Sequence, residues 1–234
     1  MEILNKITTL ANSEFVKNQM VLSGYTEDKI QILRLPAPAK KEYVAPPKEG
    51  IPHFLFLGRI TPEKGYNWLL ESLATVKHPV HLDIAGQGNS VQEQAIRSQA
   101  QSLGLNDRVT FHGWVNEEQV FALLKQARAV VFPSVWHEPA GFVTLEAAAA
   151  GRAVIASRVG GIPEYAECLK NALLVEPNDV EGLARSIEKL GLDYALAQQL
   201  GNNGREGVTK HFLLTDHVQE LMELYTCLIL KKTL

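Results

Sequence analysis

The run Ser134–Glu146, SVWHEPAGFVTLE, gathers residue types suited to a phosphorylated, hydroxyl-rich ligand. Pro133 stops the apolar run before it, and Pro139 and Gly141 hold the next residues in a loop, so a helix is predicted to start near Phe142–Thr144. The first N–H groups of such a helix lack intrahelical partners and, with the helix dipole, form an anion site. Gly141 has no side chain, so a phosphate can approach the backbone closely. Glu138 precedes this site and Glu146 follows it; a carboxylate accepts vicinal hydroxyls in bidentate fashion, which points to a sugar phosphate. The plainer alternative makes Glu146 a surface residue favoured by the dipole and Glu138 a solvated loop residue.

Arg59 and Lys64 stand in GRITPEKG, just past a predicted strand. Ligands of open α/β sheets bind beyond the carboxyl ends of strands, where Arg offers a planar fork to phosphate and Lys a point charge. Two solvated loop cations are the alternative. In Ala85–Ser90, AGQGNS, a G-x-G follows a strand, but Val91 stands where the dinucleotide fingerprint needs its third glycine, so a tight strand-to-helix turn is the better reading. The turn Gly113-Trp114-Val115 leaves another strand; its backbone can face a flat base and Trp114 can stack on it, although packing is the commoner use of Trp.

Other chemistries lack their residues. The sequence has no GxSxG, GxxxxGK[ST] or HExxH, and its seven histidines show no metal spacing. His112 and His137 read as structural or polar loop residues. Without an Asp-x-Asp pair the usual carboxylates for a metal–diphosphate bridge are missing, so phosphate handling is expected to need no metal.

These residues must be held by a core, and 234 residues with 46% apolar and 21% charged composition suffice for one sizeable domain. The net charge of −3 lacks the electrostatic footprint of a nucleic-acid binder. No apolar run reaches the length of a membrane span, the start MEILNKITTLANSEF shows no secretory pattern, and Cys168 and Cys227 have no CxxC spacing. A reduced, cytoplasmic setting is expected.

From residue 51 onward, short apolar runs alternate with helix-period stretches. Strands are predicted at Phe54–Leu57, Val80–Ala85, Val109–Phe111, Ala129–Phe132, Ala153–Ala156 and Leu173–Val175. Helices are predicted at Gly65–Lys77, Ser90–Leu103, Glu117–Lys125, Val143–Ala150 and Asn178–Leu190. Nearly continuous apolar strands joined by helices imply a doubly wound parallel α/β sheet, Rossmann-like in plan, over 51–212. Residues 1–35 form a βαβ-sized piece: strand Ile7–Leu10, a helix capped by Ser13 and closed by Gly24, and strand Ile30–Leu33. Pro36, Pro38, Pro46 and Pro47 mark 36–50 as an extended linker. In 213–234 a helix over Thr215–Leu230 carries Val218, Leu221, Met222, Tyr225 and Leu228 on one face. With Leu224, Cys227 and Leu230 it is apolar nearly all round, so neighbours on two sides are expected.

Taken together, GRITPEKG, the Phe111–Gly113 turn, SVWHEPAGFVTLEAAAAG and VIASRVGGIPEY resemble glycosyltransferase family 4, the retaining, nucleotide-sugar-dependent enzymes of the GT-B fold. The resemblance runs over roughly 51–230, with RSIEKLGLDYALAQQLGNNGREGVTKHF similar to the family's ending. It implies that Arg59 and Lys64 hold the donor diphosphate, that Glu138 contacts the donor sugar and that Glu146 contacts the nucleotide ribose. It further implies phosphate on the N–H groups of Phe142, Val143 and Thr144, the base near Gly113–Val115, and Gly160, Gly161 and Glu164 in a loop close by. The co-substrate is then a nucleotide diphosphate sugar, with no other cofactor and no metal, and the acceptor a hydroxyl of a sugar, lipid or other molecule.

Three departures stand out. Residues 3–35 resemble only the last portion of the family's acceptor-binding domain, and Leu35-Pro36-Ala37-Pro38 replaces a common Asn-Gly turn. Ala140 replaces a frequent aromatic, which is expected to loosen one wall of the sugar pocket. The competing expectation is therefore a non-catalytic module that binds a nucleotide sugar or docks a partner, a separate acceptor domain or a second copy. An epimerase or phosphorylase of similar fold is a third; the lysine-bound pyridoxal context of a phosphorylase is not found.

Overall fold

The computed structural model describes residues 7–38 and 43–232. Six parallel strands, β3 (His53–Leu57), β4 (His81–Ala85), β5 (Val109–Gly113), β6 (Ala127–Phe132), β7 (Ala153–Ser157) and β8 (Ala172–Val175), form one sheet in the order β5-β4-β3-β6-β7-β8. The chain winds outward from β3 to one edge, then returns to start β6 beside β3. The switch point thus lies between β3 and β6, where ligands of such sheets bind.

Strand periodicity splits the core in two. Phe54, Phe56, Leu82, Ile84, Ala129 and Val131 face α2 (Tyr66–Thr75), α3 (Ser90–Ser102) and α7 (Val180–Leu192). Leu55, Leu57, Ala85, Val130 and Phe132 face α4 (Glu117–Gln126), α5 (Phe142–Ala149) and α6 (Ile162–Leu169). Asn89 and Asn116 start α3 and α4 with reciprocal capping boxes to Gln92 and Gln119. Val76, expected on the α2 face, instead ends that helix with extended backbone and is buried.

One helix carries no helical signal that the sequence reading used. No helix is predicted over GNNGREG, yet α8 runs over Tyr194–His211. Its glycines are needed for closeness: a Cβ on Gly201 would sit 2.2 Å from the Gly151 carbonyl oxygen, and one on Gly204 would sit 3.0 Å from the Ala148 Cβ. Burial against the alanine-rich α5 outweighs the helix penalty of about 1 kcal/mol per glycine.

The 7–35 piece is a small parallel pair, β1 (Thr9–Ala11) and β2 (Ile30–Ile32), joined by α1 (Glu14–Leu22), with Ser13 Oγ capping Val16 N–H at 3.1 Å. The predicted strand Ile7–Leu10 is shifted to Thr9–Ala11. The piece is bolted to α6: the Tyr165 hydroxyl donates to Asn12 O at 2.6 Å and accepts from Leu35 N–H at 3.1 Å. The described parts of the linker stretch are bonded to the sheet domain and are not a loose spacer. Arg152, 1% exposed, donates to Val44 O at 2.7 Å, and Arg128 donates to Pro47 O at 2.7 Å.

The last helix, α9 (Leu214–Lys232), lies against the 7–35 piece, with His217 Nδ1 2.9 Å from Arg34 O. Leu224, Cys227 and Leu228 line a groove of about 560 Å³ against Gln31, Ile32 and Leu33. Leu214, Val218, Met222, Tyr225 and Ile229 are exposed, so the second neighbour expected from the sequence is not among the described residues. The side chain of Leu230, counted in that expectation, lies outside the described residues, as do residues 1–6 and 39–42. No helix among the described residues is long and apolar enough to cross a membrane.

Candidate functional site

At the switch point the loops after β3 and β6 are fastened to each other. The Glu63 carbonyl accepts from Val135 N–H at 3.0 Å and from Ser134 Oγ at 3.1 Å, while Trp68 Nε1 donates to Pro133 O at 2.8 Å. This brings two predicted residues together: Lys64 Nζ lies 2.5 Å from Glu138 Oε1. Ser134 Oγ donates to the same oxygen at 2.9 Å. Both charged side chains are mostly buried, where a paired charge is screened far less than on the surface. Arg59 lies on the same loop but reaches into solvent, 72% exposed, with a loose ion pair at 3.8 Å to Glu63.

Two glycines shape the loop that carries Glu138. Gly141, with φ +66°, turns the chain into α5, and a Cβ there would meet Ile162 Cγ1 at 3.0 Å. Gly160, with φ +57°, presses against the backbone of Glu138, and Gly161 N–H donates to Glu138 O at 2.7 Å. VGGIPEY is thus a brace that holds the Glu138 loop from behind. The G-x-G of Gly86 and Gly88 is likewise a packing device: Gly86 abuts the Gly58 carbonyl and Gly86 N–H bonds to Gly113 O at 2.8 Å, as the strand-to-helix reading expected.

The amino end of α5 differs in one respect from the expected phosphate cradle. Thr144 N–H already donates to Gly141 O at 2.9 Å and its hydroxyl to the same oxygen at 2.6 Å. Thr144 is buried and serves the cap; Phe142 and Val143 provide the N–H groups left for an anion. Glu146, one turn further on, sits in a small cleft of about 60 Å³ with Pro38, Val120, Phe121 and Leu124. Burial pushes its carboxyl above the ordinary value, and no hydrogen bond or ion pair to another described residue compensates it. That is a carboxylate with capacity for a hydroxyl-bearing ligand, and the plain surface reading of Glu146 does not fit it.

Trp114 stands 70% exposed on the turn after β5, beside Gly113, which has open space where a Cβ would be. Its ring is therefore not core packing. Val115 packs inward against the α4 face. Ala140 does not form a pocket wall: it is 3% exposed and packs with Leu145, Tyr165 and Phe212 beneath the linker. Glu164 also serves the scaffold, accepting from Arg34 Nη2 at 2.6 Å and from Glu14 N–H at 2.7 Å.

Sequence reasoning missed three participants. Ser134 anchors Glu138, and Trp136, exposed, shares its loop. Phe15 of the 7–35 piece stacks on His137 with centroids 5.5 Å apart, and Ser13 Oγ donates to Pro139 O at 2.5 Å, so α1 meets this loop directly. A contact across more than a hundred residues leaves no trace in local spacing; the serine signal, Ser134 four residues before Glu138, was legible.

A doubly wound sheet with a cation, a carboxylate and a helix amino end at its switch point defines a Rossmann-like ligand-binding domain, one half of a GT-B architecture. Residues 40–207 match the family Glycosyl transferases group 1, and the chain belongs to that family. An uncharacterized glycosyltransferase of Methanocaldococcus jannaschii is 32% identical over 173 residues, which are 73% of this chain and 44% of that protein. Glycogen synthase of Mycobacterium tuberculosis is 34% identical over 169 residues, 71% of this chain and 40% of that protein. Among solved structures, sucrose-phosphate synthase of Thermosynechococcus elongatus superposes with TM-score 0.83 at 28% identity, covering 95% of this chain and 58% of that one. Anabaena HepE in complex with UDP and glucose shares the fold, with TM-score 0.83 at 20% identity over 97% of this chain and 65% of that one. The chain spans about half the length of the curated relatives it matches.

Proposed function

We propose that this chain is the donor-binding half of a retaining glycosyltransferase, of the family 4 type, that transfers a sugar from a nucleotide diphosphate sugar to a hydroxyl acceptor. The observation that carries the reading is the Lys64–Glu138 pair, held by Ser134 at the switch point beside the amino end of α5. Lys64 and Arg59, with the N–H groups of Phe142 and Val143, supply positive potential where a departing diphosphate gains charge. Glu138, freed from Lys64 when phosphate takes the ammonium, accepts hydroxyls of the donor sugar. Glu146 accepts the ribose hydroxyls, and Gly113–Val115 with Trp114 flank the base. The leaving diphosphate takes the proton of the incoming hydroxyl, so no covalent nucleophile is required, and the cations take the place of a metal. The complexes of HepE with UDP and with UDP-glucose support a nucleotide diphosphate sugar as co-substrate.

Residues 7–35 are, on this reading, the end of an acceptor-binding unit, 36–50 the link to the donor domain over 51–212, and 213–234 a closing helix. Calorimetric titration with UDP, GDP and ADP, first without metal and then with Mg²⁺, tests the proposal. Metal-independent binding of one diphosphate, lost in Glu146→Ala and in Lys64→Ala, is expected. Failure of all three to bind would favour a second reading, a module that docks a partner. The exposed apolar face of α9 is what supports that alternative; light scattering that shows a monomer at every concentration counts against self-association through it.

A further inference from the structure

Outside the donor loops, the described residues hold one group of side chains able to ligate a metal ion: His53, His81 and Asp83. The parallel register places His53 beside His81 and Leu55 beside Asp83, so all three side chains leave the same face of neighbouring strands. Their ligand atoms lie within 4.8 Å of one another, and the rings of His53 and His81 are 4.7 Å apart between centroids. His53 Nδ1 is 2.7 Å from Asp83 Oδ2, and His112 Nε2, from β5, is 2.7 Å from Asp83 Oδ1. Thr110 Oγ1 stands 2.8 Å from His81 Nε2 and fixes that ring in turn. Asp83 is 8% exposed while the imidazoles are half open, so an ion has a path from solvent to a buried carboxylate.

We propose that His53, His81 and Asp83 bind a divalent transition-metal ion of the zinc class. Two imidazoles and a carboxylate suit Zn²⁺, and three protein ligands leave a fourth position to water. His112 occupies the other carboxylate oxygen, the outer partner that orients a ligating carboxylate. The ion takes the place of the proton shared by His53 and Asp83, and that proton leaves to solvent. The His53–His81 pair lies four residues before the strands' carboxyl ends, about 13 Å from the donor loops at roughly 3.3 Å per residue, so the ion would clamp β3 to β4 and take no part in diphosphate binding. No metal spacing is visible in the sequence because the two histidines are 28 residues apart and become neighbours only through strand pairing.

The test is calorimetric titration of the full chain with ZnCl₂, with CoCl₂ absorption in the visible as a report of four-coordinate geometry. One equivalent of Zn²⁺ is expected. His53→Gln and His81→Gln should weaken it more than about 100-fold, and His112→Gln by about 10- to 100-fold. His78→Gln, which alters an exposed histidine outside the group, should leave binding intact, and circular dichroism confirms that each variant is folded. Failure of the wild type to take up Zn²⁺, or equal uptake by folded His53→Gln, His81→Gln and wild type, overturns the proposal.

Discussion

Lys64 Nζ and Glu138 Oε1, 74 residues apart in sequence, stand 2.5 Å from each other at the junction of the two halves of the sheet. Each is the other's counter-charge, and Ser134 Oγ donates to the same carboxylate oxygen. A ligand that offers phosphate to the lysine and hydroxyls to the glutamate replaces one pairing with two.

Lys64→Ala should therefore lower nucleoside diphosphate affinity at least tenfold, about 1.4 kcal/mol, while free nucleoside affinity changes less than about twofold. Titration of both ligands against wild type and variant checks this. Equal losses for both ligands would remove the phosphate role from Lys64.

Glu146 predicts a trade between stability and binding. Burial raises its folded-state pKa, so between the ordinary value near 4.5 and that raised value the folded state holds more protons than the unfolded one. Its contribution to stability is thus largest at low pH and is lost as pH rises through that window. Glu146→Gln should make the protein more stable at pH 7 in urea melts, flatten this part of the pH profile, and weaken diphosphate binding.

Arg152 gives a purely structural prediction. Burial lowers its pKa to about 10, and its guanidinium is held by the carbonyls of Val44, Leu124, Lys125 and Gly151. Arg152→Leu leaves buried acceptors unsatisfied and should cost about 3 kcal/mol or more. Arg152→Lys should fall between, since an ammonium cannot span the same fan of oxygens. Denaturant midpoints report both.

Gly160→Ala should damage the site from behind. Its new Cβ would lie 2.3 Å from Glu138 O in a left-handed backbone, whereas Gly104, with φ +69°, has open space around it. Both substitutions pay about 1–2 kcal/mol of conformational strain. Only Gly160→Ala should also weaken diphosphate binding, read by calorimetry alongside thermal melting.

Alternation of apolar runs with helical periods made the sheet legible, and residue chemistry picked out Lys64, Glu138 and Glu146. What escaped depends on contacts that sequence spacing does not carry. The glycines of α8 argue against a helix until α5 is known to lie against them. Ala140 reads as a gap in a pocket wall until the linker and Phe212 close over its other side. Thr144 offers an amide to a ligand only if its own cap does not use it. His53 and His81 look like unrelated histidines until strand pairing sets them side by side. Residue type suggested where chemistry can occur; the packing partner decided which way each group faces.

The linker between the small βαβ piece and the sheet is tied down at short intervals. Leu35 N–H is held by Tyr165, Ala37 N–H by the Phe212 carbonyl, Val44 O by Arg152, and Pro47 O by Arg128. Any swing of residues 7–35 relative to the sheet must break named bonds at α6, at Phe212 or at the guanidiniums, so the angle between the two parts is set by those ties and not by linker length. Extra residues inserted between Ala37 and Val44 would leave that angle where it is.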